Sequence, residues 1–156
     1  MELTRPYGYQ AFAAELRVFR RRRPQWHIFS IGQSVLGRPI WALETRPGGA
    51  LIHASHHANE WMTSAVLMRW LWTAHPAMPV TVVPMVNPDG VALAAGEADA
   101  PRPLWLSEAC PPGDLKANFR GVDLNLNYPA GWAEAVRIKA ALGACGPAAR
   151  DWPGPA

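Results

Sequence analysis

Apolar positions recur along the chain with two different periods, and the changes of period divide it into elements. Phe12, Leu16 and Phe19 stand at helical spacing within residues 9–22, and Pro24 follows, so an amphipathic N-terminal helix is expected. Residues 27–31 and 39–45 are short β-prone runs on either side of Leu36-Gly37-Arg38, and together they read as a hairpin. Gly48-Gly49 punctuates the chain before residues 50–54, a small apolar run that predicts a buried strand. Residues 61–74 are apolar on nearly all sides, with Arg69 the only charge, and predict a helix buried against a sheet. The β-branched run at 80–86 predicts a central strand in spite of Pro84, with Asn87-Pro88-Asp89-Gly90 as a turn at its C-terminal end. Residues 98–113, rich in proline and small side chains, read as a long surface loop. Residues 130–142 read as a further helix, and 146–156, without periodicity, as a linker or loop. Strands alternating with helices define the class as α/β, with a mixed, largely parallel sheet flanked by helices. Ligands are expected outside the carboxyl ends of its strands, where the loops after Ala54 and Val86 begin.

Composition supports a folded chain and removes several alternatives. Hydrophobic residues make up 49% and charged residues 17% of the 156 positions, too apolar for intrinsic disorder. A domain near this length buries roughly 68–70% of the surface its unfolded chain exposes, so a structural metal is unnecessary and any metal is expected to serve chemistry. The longest apolar stretch, near residues 61–72, falls short of the roughly 20 residues that span a bilayer, so no membrane span is expected. The first six residues lack a charged region followed by an apolar one, so the chain as given reads as cytoplasmic or as one that has lost its leader. Cys110 and Cys145 are not a C-x-x-C pair, and whether they join is open. The net charge of +3 comes largely from Arg17 and the run Arg20 to Arg23. Cations there suit the solvated C-terminal end of a helix, so a nucleic-acid partner is not expected, although an anionic polymer remains an alternative.

Candidate chemistry concentrates in three loops. In ASHHANEW (54–61), His57 and Glu60 form H-x-x-E at a strand-to-helix junction, where residues three apart share a face. An imidazole and a carboxylate on one face suit Zn²⁺, for which His₂Glu is a known catalytic ligand set. On spacing alone, a helix-capping cluster with a surface carboxylate serves as well. In KANFRGVDLNLNYP (116–129), Lys116, Arg120 and Asn125 offer cations and an amide for gripping an anion or a peptide, against the plainer reading of an Asx-rich turn. His53 sits in the expected strand as a packed or ligand-supporting histidine, and Trp61 reads as packing at the start of the buried helix.

Taken in order, HHANEW, VNPDGV and KANFRGVDLNLNYPAGW resemble the zinc carboxypeptidase family, peptidase family M14. HHANEW and LNLNYPAGW are most similar to its bacterial branch that cleaves γ-D-glutamyl–meso-diaminopimelate bonds in peptidoglycan peptides. The resemblance implies a zinc-carboxypeptidase-like fold and one Zn²⁺, with His57 and Glu60 as its first two ligands. It implies Asn125 as a substrate-binding asparagine, and Lys116, with Arg120 as a neighbouring candidate, as the group facing the oxyanion. His56 has the wrong spacing for the ligand set, and Asp123 takes a structural part, holding a histidine ligand from behind. Where family members with an Asn-Arg pair grip a C-terminal carboxylate, this chain has Leu126, which favours a substrate recognised in another way.

The family's third ligand, a histidine, and its general base, a glutamate, lie far downstream. Here every histidine lies at or before His75, and after Asp123 the only carboxylates are Glu134 and Asp151. Residues 1–156 are therefore expected to be the N-terminal portion of one catalytic domain, inactive alone, with 146–156 a linker or loop at the truncation. A metal-free peptide-binding module and an ordinary C-terminal carboxypeptidase are the alternatives.

Overall fold

Three large apolar side chains, Phe12, Leu16 and Phe19, lie along one face of helix α1 (Tyr9–Arg22) and are buried. The computed structural model describes residues 5–154, so the expectation placed on residues 1–4 and the last two residues of 146–156 lie outside the described residues. Strands β1 (His27–Gln33) and β2 (Pro39–Glu44) form the expected antiparallel hairpin. Gly37 takes φ 78° in its turn, a left-handed conformation that favours glycine. Strand β3 (Ala50–His53) leads through a single 3-10 turn, Ala58–Glu60, into helix α2 (Trp61–Thr73). Strand β4 (Val80–Val83), helix α3 (Pro88–Ala94) and helix α4 (Trp132–Ala141) complete the elements.

The sheet order is β1-β2-β4-β3. It is mixed, as expected, but not largely parallel: among the described residues the β1–β2 and β2–β4 ladders are antiparallel, and the parallel part is the β3–β4 ladder, the part that carries the candidate site. The core lies where α1 and α2 meet the sheet: Phe12, Leu16 and Phe19 pack with Met68 and Leu71 of α2 and with Leu43, Val80 and Val82 of the strands.

Four more expectations change. The strand expected over 80–86 ends at Val83, because Pro84 has no N–H to continue the ladder. Asn87-Pro88-Asp89-Gly90 is the first turn of α3 and not an isolated turn. Asn87 caps the Gly90 N–H and Pro88 sits at the first helical position, so a helix-start signature outweighs the glycine. The run at 50–54 forms the outer strand of the sheet instead of a buried one, and leaves Leu51 64% exposed. Helix α2 buries Ser64, Ala65, Met68 and Leu71 but exposes Met62 and Val66. The fully apolar pattern thus reports two apolar faces, of which this chain covers one.

Among the described residues β3 pairs only with β4, so its other edge presents unpaired backbone beside an apolar α2 face. The chain should therefore self-associate at high concentration. Leu51→Lys is expected to shift it toward monomer in size-exclusion chromatography with light scattering, with its circular dichroism unchanged.

Candidate metal and substrate site

The strand-to-helix junction is held by a hydroxyl network. Ser55, buried at φ 52°, donates its N–H to Thr63 Oγ1 at 3.0 Å, and its Oγ lies 2.9 Å from the Glu60 carbonyl and 2.6 Å from Ser64 Oγ. A non-glycine residue holds a left-handed conformation when its surroundings fix it, and here two side chains of α2 do so. The sharp turn sends His57 and Glu60 to the same side. Ser55, Thr63 and Ser64 were not legible as site residues, because nothing in their spacing distinguishes them from ordinary helix and turn serines.

His57 is gripped from both ring nitrogens. Nδ1 lies 2.9 Å from Glu60 Oε1, and Nε2 lies 3.2 Å from Oδ1 of the buried Asp123. Nδ1 and Glu60 Oε1 are hydrogen-bonded, Nε2 makes the longer ion-pair contact with Asp123, and each tautomer of the ring directs its proton to one of the two carboxylates. An imidazole nitrogen and a carboxylate oxygen thus lie side by side at hydrogen-bond distance, a donor pair that a cation can share once it displaces the proton between them. Zinc–nitrogen and zinc–oxygen bonds of about 2.0–2.2 Å let one ion touch both, so the donor set fits zinc. Asp123 stands behind the histidine, the position expected of a group that orients a metal ligand. Among the described residues no group of three or more His, Cys, Asp or Glu side chains is placed to hold a metal.

Asn125 joins His57 and Glu60 on a cavity of about 300 Å³, together with His53, His56 and Thr63. The other two sequence candidates stand apart. Arg120 lines a neighbouring cavity of about 260 Å³ with Ser34, Asp89 and Asn118. Lys116 is tied through its backbone: its carbonyl accepts the Ala58 N–H and its N–H donates to Ala149. Its side chain lines neither cavity.

His53 is exposed and not packed in a core, because β3 is the outer strand; its ring lies 4.5 Å from that of His56. His56 Nε2 meets the Tyr128 hydroxyl. Burial first, then the charges of His53 and His57, hold the His56 imidazole below its ordinary pKa. Trp61 packs against the core, as expected.

Asn87 ties the three motif loops together, which sequence reading missed. Its Nδ2 donates to the His56 carbonyl and to the Ala117 carbonyl, both at 3.1 Å, while Oδ1 accepts the Gly90 N–H at 3.0 Å. Gly90 is required there, since a Cβ would lie 2.5 Å from Asn87 Nδ2 and 2.7 Å from the Ala117 carbonyl oxygen. Asn87→Ala strands buried partners in two loops, and denaturant unfolding is expected to show a loss of about 1–3 kcal/mol.

The segment from 146 is a loop, and a tethered one. Ala149 accepts the N–H groups of Lys116 and Ala117, Trp152 accepts that of Asp123, and Asp123 Oδ2 accepts the Asp151 N–H at 3.2 Å. Cys110 and Cys145 are free thiols. No helix among the described residues is long and apolar enough to cross a membrane.

Comparison with known proteins gives the site its context. The chain is 37% identical over 153 residues to YqgT, an uncharacterized protein of Bacillus subtilis (strain 168), covering 80% of this chain and 39% of that protein. It is 31% identical over 152 residues to gamma-D-glutamyl-L-diamino acid endopeptidase 1 of Lysinibacillus sphaericus, covering 81% and 38%. It thus spans about two fifths of the length of these curated relatives. Its fold matches a metallo-carboxypeptidase from Burkholderia cenocepacia with a TM-score of 0.58 at 23% identity, over 90% of this chain and 39% of that one. The model of the zinc carboxypeptidase domain matches residues 12–148, a span that contains the His57–Glu60 pair, Asp123 and Asn125, and the chain belongs to the zinc carboxypeptidase family.

Proposed function

We propose that the protein is a zinc-dependent peptidase of peptidoglycan peptides, hydrolysing γ-D-glutamyl–diaminopimelate bonds in its full-length form. The observation that carries this reading is the His57 imidazole held between Glu60 and Asp123 with one nitrogen turned to the carboxylate. The name of the Lysinibacillus relative supports the substrate class. So does Leu126, which leaves no arginine beside Asn125 to grip a simple C-terminal carboxylate.

In this reading His57 and Glu60 hold a single zinc ion, and Asn125 orients the substrate backbone across their cavity. Zinc, when bound, supplies Lewis acidity toward the scissile carbonyl and the attacking water. Lys116 or Arg120 faces the developing negative charge, and Arg120 also contacts substrate. The third ligand and the general base come from residues outside these 156, so this portion alone is inactive.

Zinc titration and turnover test the reading together. The chain is expected to bind one zinc with an affinity that His57→Ala and Glu60→Ala each abolish, and to show no turnover. The full-length protein is expected to cleave γ-D-glutamyl–diaminopimelate peptides in preference to peptides with ordinary C-termini. Zinc affinity unchanged in His57→Ala would favour the metal-free peptide-binding module. Preference for ordinary C-termini would make the protein a conventional carboxypeptidase.

A further inference from the structure

The arginine run near the end of α1 divides into two parts in three dimensions. Arg23 is structural: its guanidinium donates to the Trp72 carbonyl and, at 2.7 Å, to the Ala74 carbonyl at the C-terminal end of α2. Arg17, Arg20 and Arg21 instead share one helix face at i, i+3 and i+4. They line a groove of about 520 Å³ between α1 and β2, floored by Leu16 and walled by Tyr9 and Trp41. The groove shares no lining residue with the His57 cavity. Arg20 rests 5.2 Å from the centre of the Trp41 ring, which holds its position. Among the described residues no carboxylate pairs with any of the three. Glu15, the acidic residue of α1, is engaged elsewhere, by Tyr7 and Trp72. Arg20 and Arg21 lie in the last turn of α1, where the helix dipole favours cations, but like charges at these spacings repel and, among the described residues, no carboxylate neutralises them, so an anion would relieve the groove.

We propose that this groove binds a phosphate-bearing polyanion without bases, a phosphodiester polymer of the poly(glycerol phosphate) type. Three exposed arginines on one helix face beside this groove offer planar forks that suit phosphate oxygens bidentately. The aromatic walls disfavour nucleic acid as the occupant. Single-stranded nucleic acids bind on bare aromatic faces, whereas Trp41 carries Arg20 and Tyr9 carries Arg38, whose guanidinium lies 5.7 Å from the ring centre.

The test is titration of the 156-residue chain with poly(glycerol phosphate) at several salt concentrations. Binding should weaken with salt, with a log–log slope of magnitude about 2, as for release of two to three counterions. The triple variant Arg17→Ser, Arg20→Ser, Arg21→Ser should lose at least about tenfold in affinity and flatten that slope, whereas Arg69→Ser should change neither. A triple Arg→Lys variant, which keeps the charge, should keep the slope while weakening binding severalfold. It also decides the matter if the serine variant fails to fold. Undetectable binding at low salt, or equal affinity and slope in the serine variant, would overturn the proposal. Tighter binding of single-stranded DNA than of poly(glycerol phosphate) would overturn it in favour of a nucleic-acid surface.

Discussion

Asp89→Ala should destabilise the protein by about 3–5 kcal/mol in urea or guanidinium unfolding, a large share of the roughly 5–15 kcal/mol typical of a native domain. Asp89 is 2% exposed and accepts hydrogen bonds from Arg38 Nη1 at 2.7 Å, Ser34 Oγ at 2.8 Å and the Leu36 N–H at 2.9 Å. These contacts fasten the β1–β2 turn onto the first turn of α3. Burial opposes the charge on Arg38, but the hydrogen bond and charge of Asp89 outweigh it and raise the guanidinium pKa. Removing the carboxylate leaves a buried cation whose desolvation is offset only by Asp99, whose carbonyl accepts from Nη2 at 2.8 Å and whose exposed carboxylate lies 3.2 Å away. A double variant, Asp89→Leu with Arg38→Met, should recover much of the loss, because the penalty belongs to the stranded partner more than to the missing pair. If Asp89→Ala alone unfolds at an unchanged denaturant midpoint, the ion pair does not stabilise the fold.

The second large effect is expected at Asp123, and it falls on metal binding. Asp123→Asn should weaken zinc binding about 10–100-fold, measured by competition with a chelating dye, while leaving the unfolding midpoint close to that of the parent. In the proposed zinc site the Asp123 carboxylate faces His57 Nε2 and leaves Nδ1, the nitrogen beside Glu60, for the metal. An asparagine of the same shape can still accept the Asn125 N–H, now 3.2 Å from Asp123 Oδ1, but it holds the imidazole proton less strongly. Its NH2 also gives up the Asp151 N–H that Oδ2 accepts at 3.2 Å, at a cost of about 1 kcal/mol. The two measurements together separate orientation of the ligand from general support of the loop. Loss of affinity together with a larger loss of stability than this would assign Asp123 to loop structure; loss of neither would remove it from the site.

These two aspartates differ in how far they could be read in advance. Asp123 lies within a dense motif, and its supporting part followed from the resemblance that gave His57 its role. Asp89 lies within a motif as well, but the Pro and Gly around it indicate a turn, and its partner Arg38 is fifty-one positions away. No local pattern announces a pair of that separation. The same holds for Asn87, whose partners come from two other loops.

Periodicity and motif order by themselves determined the order of helices and strands, the α/β class, and the alignment of His57, Glu60 and Asn125 as a group. Those properties depend on neighbours within a turn or two, or on short motifs that survive as strings. Tertiary structure decided which apolar faces are covered, because the pattern of α2 and of β3 is the same whether or not a partner lies on the far side. It decided that Arg23 anchors α2 while Arg17, Arg20 and Arg21 face a groove, although Arg20, Arg21 and Arg23 belong to one run in the sequence. It also decided what the second nitrogen of His57 faces, since that depends on a carboxylate brought from sixty-six residues away. Hydrogen bonds and charges act over a few ångströms of space, and only the folded chain determines which distant residues share that space.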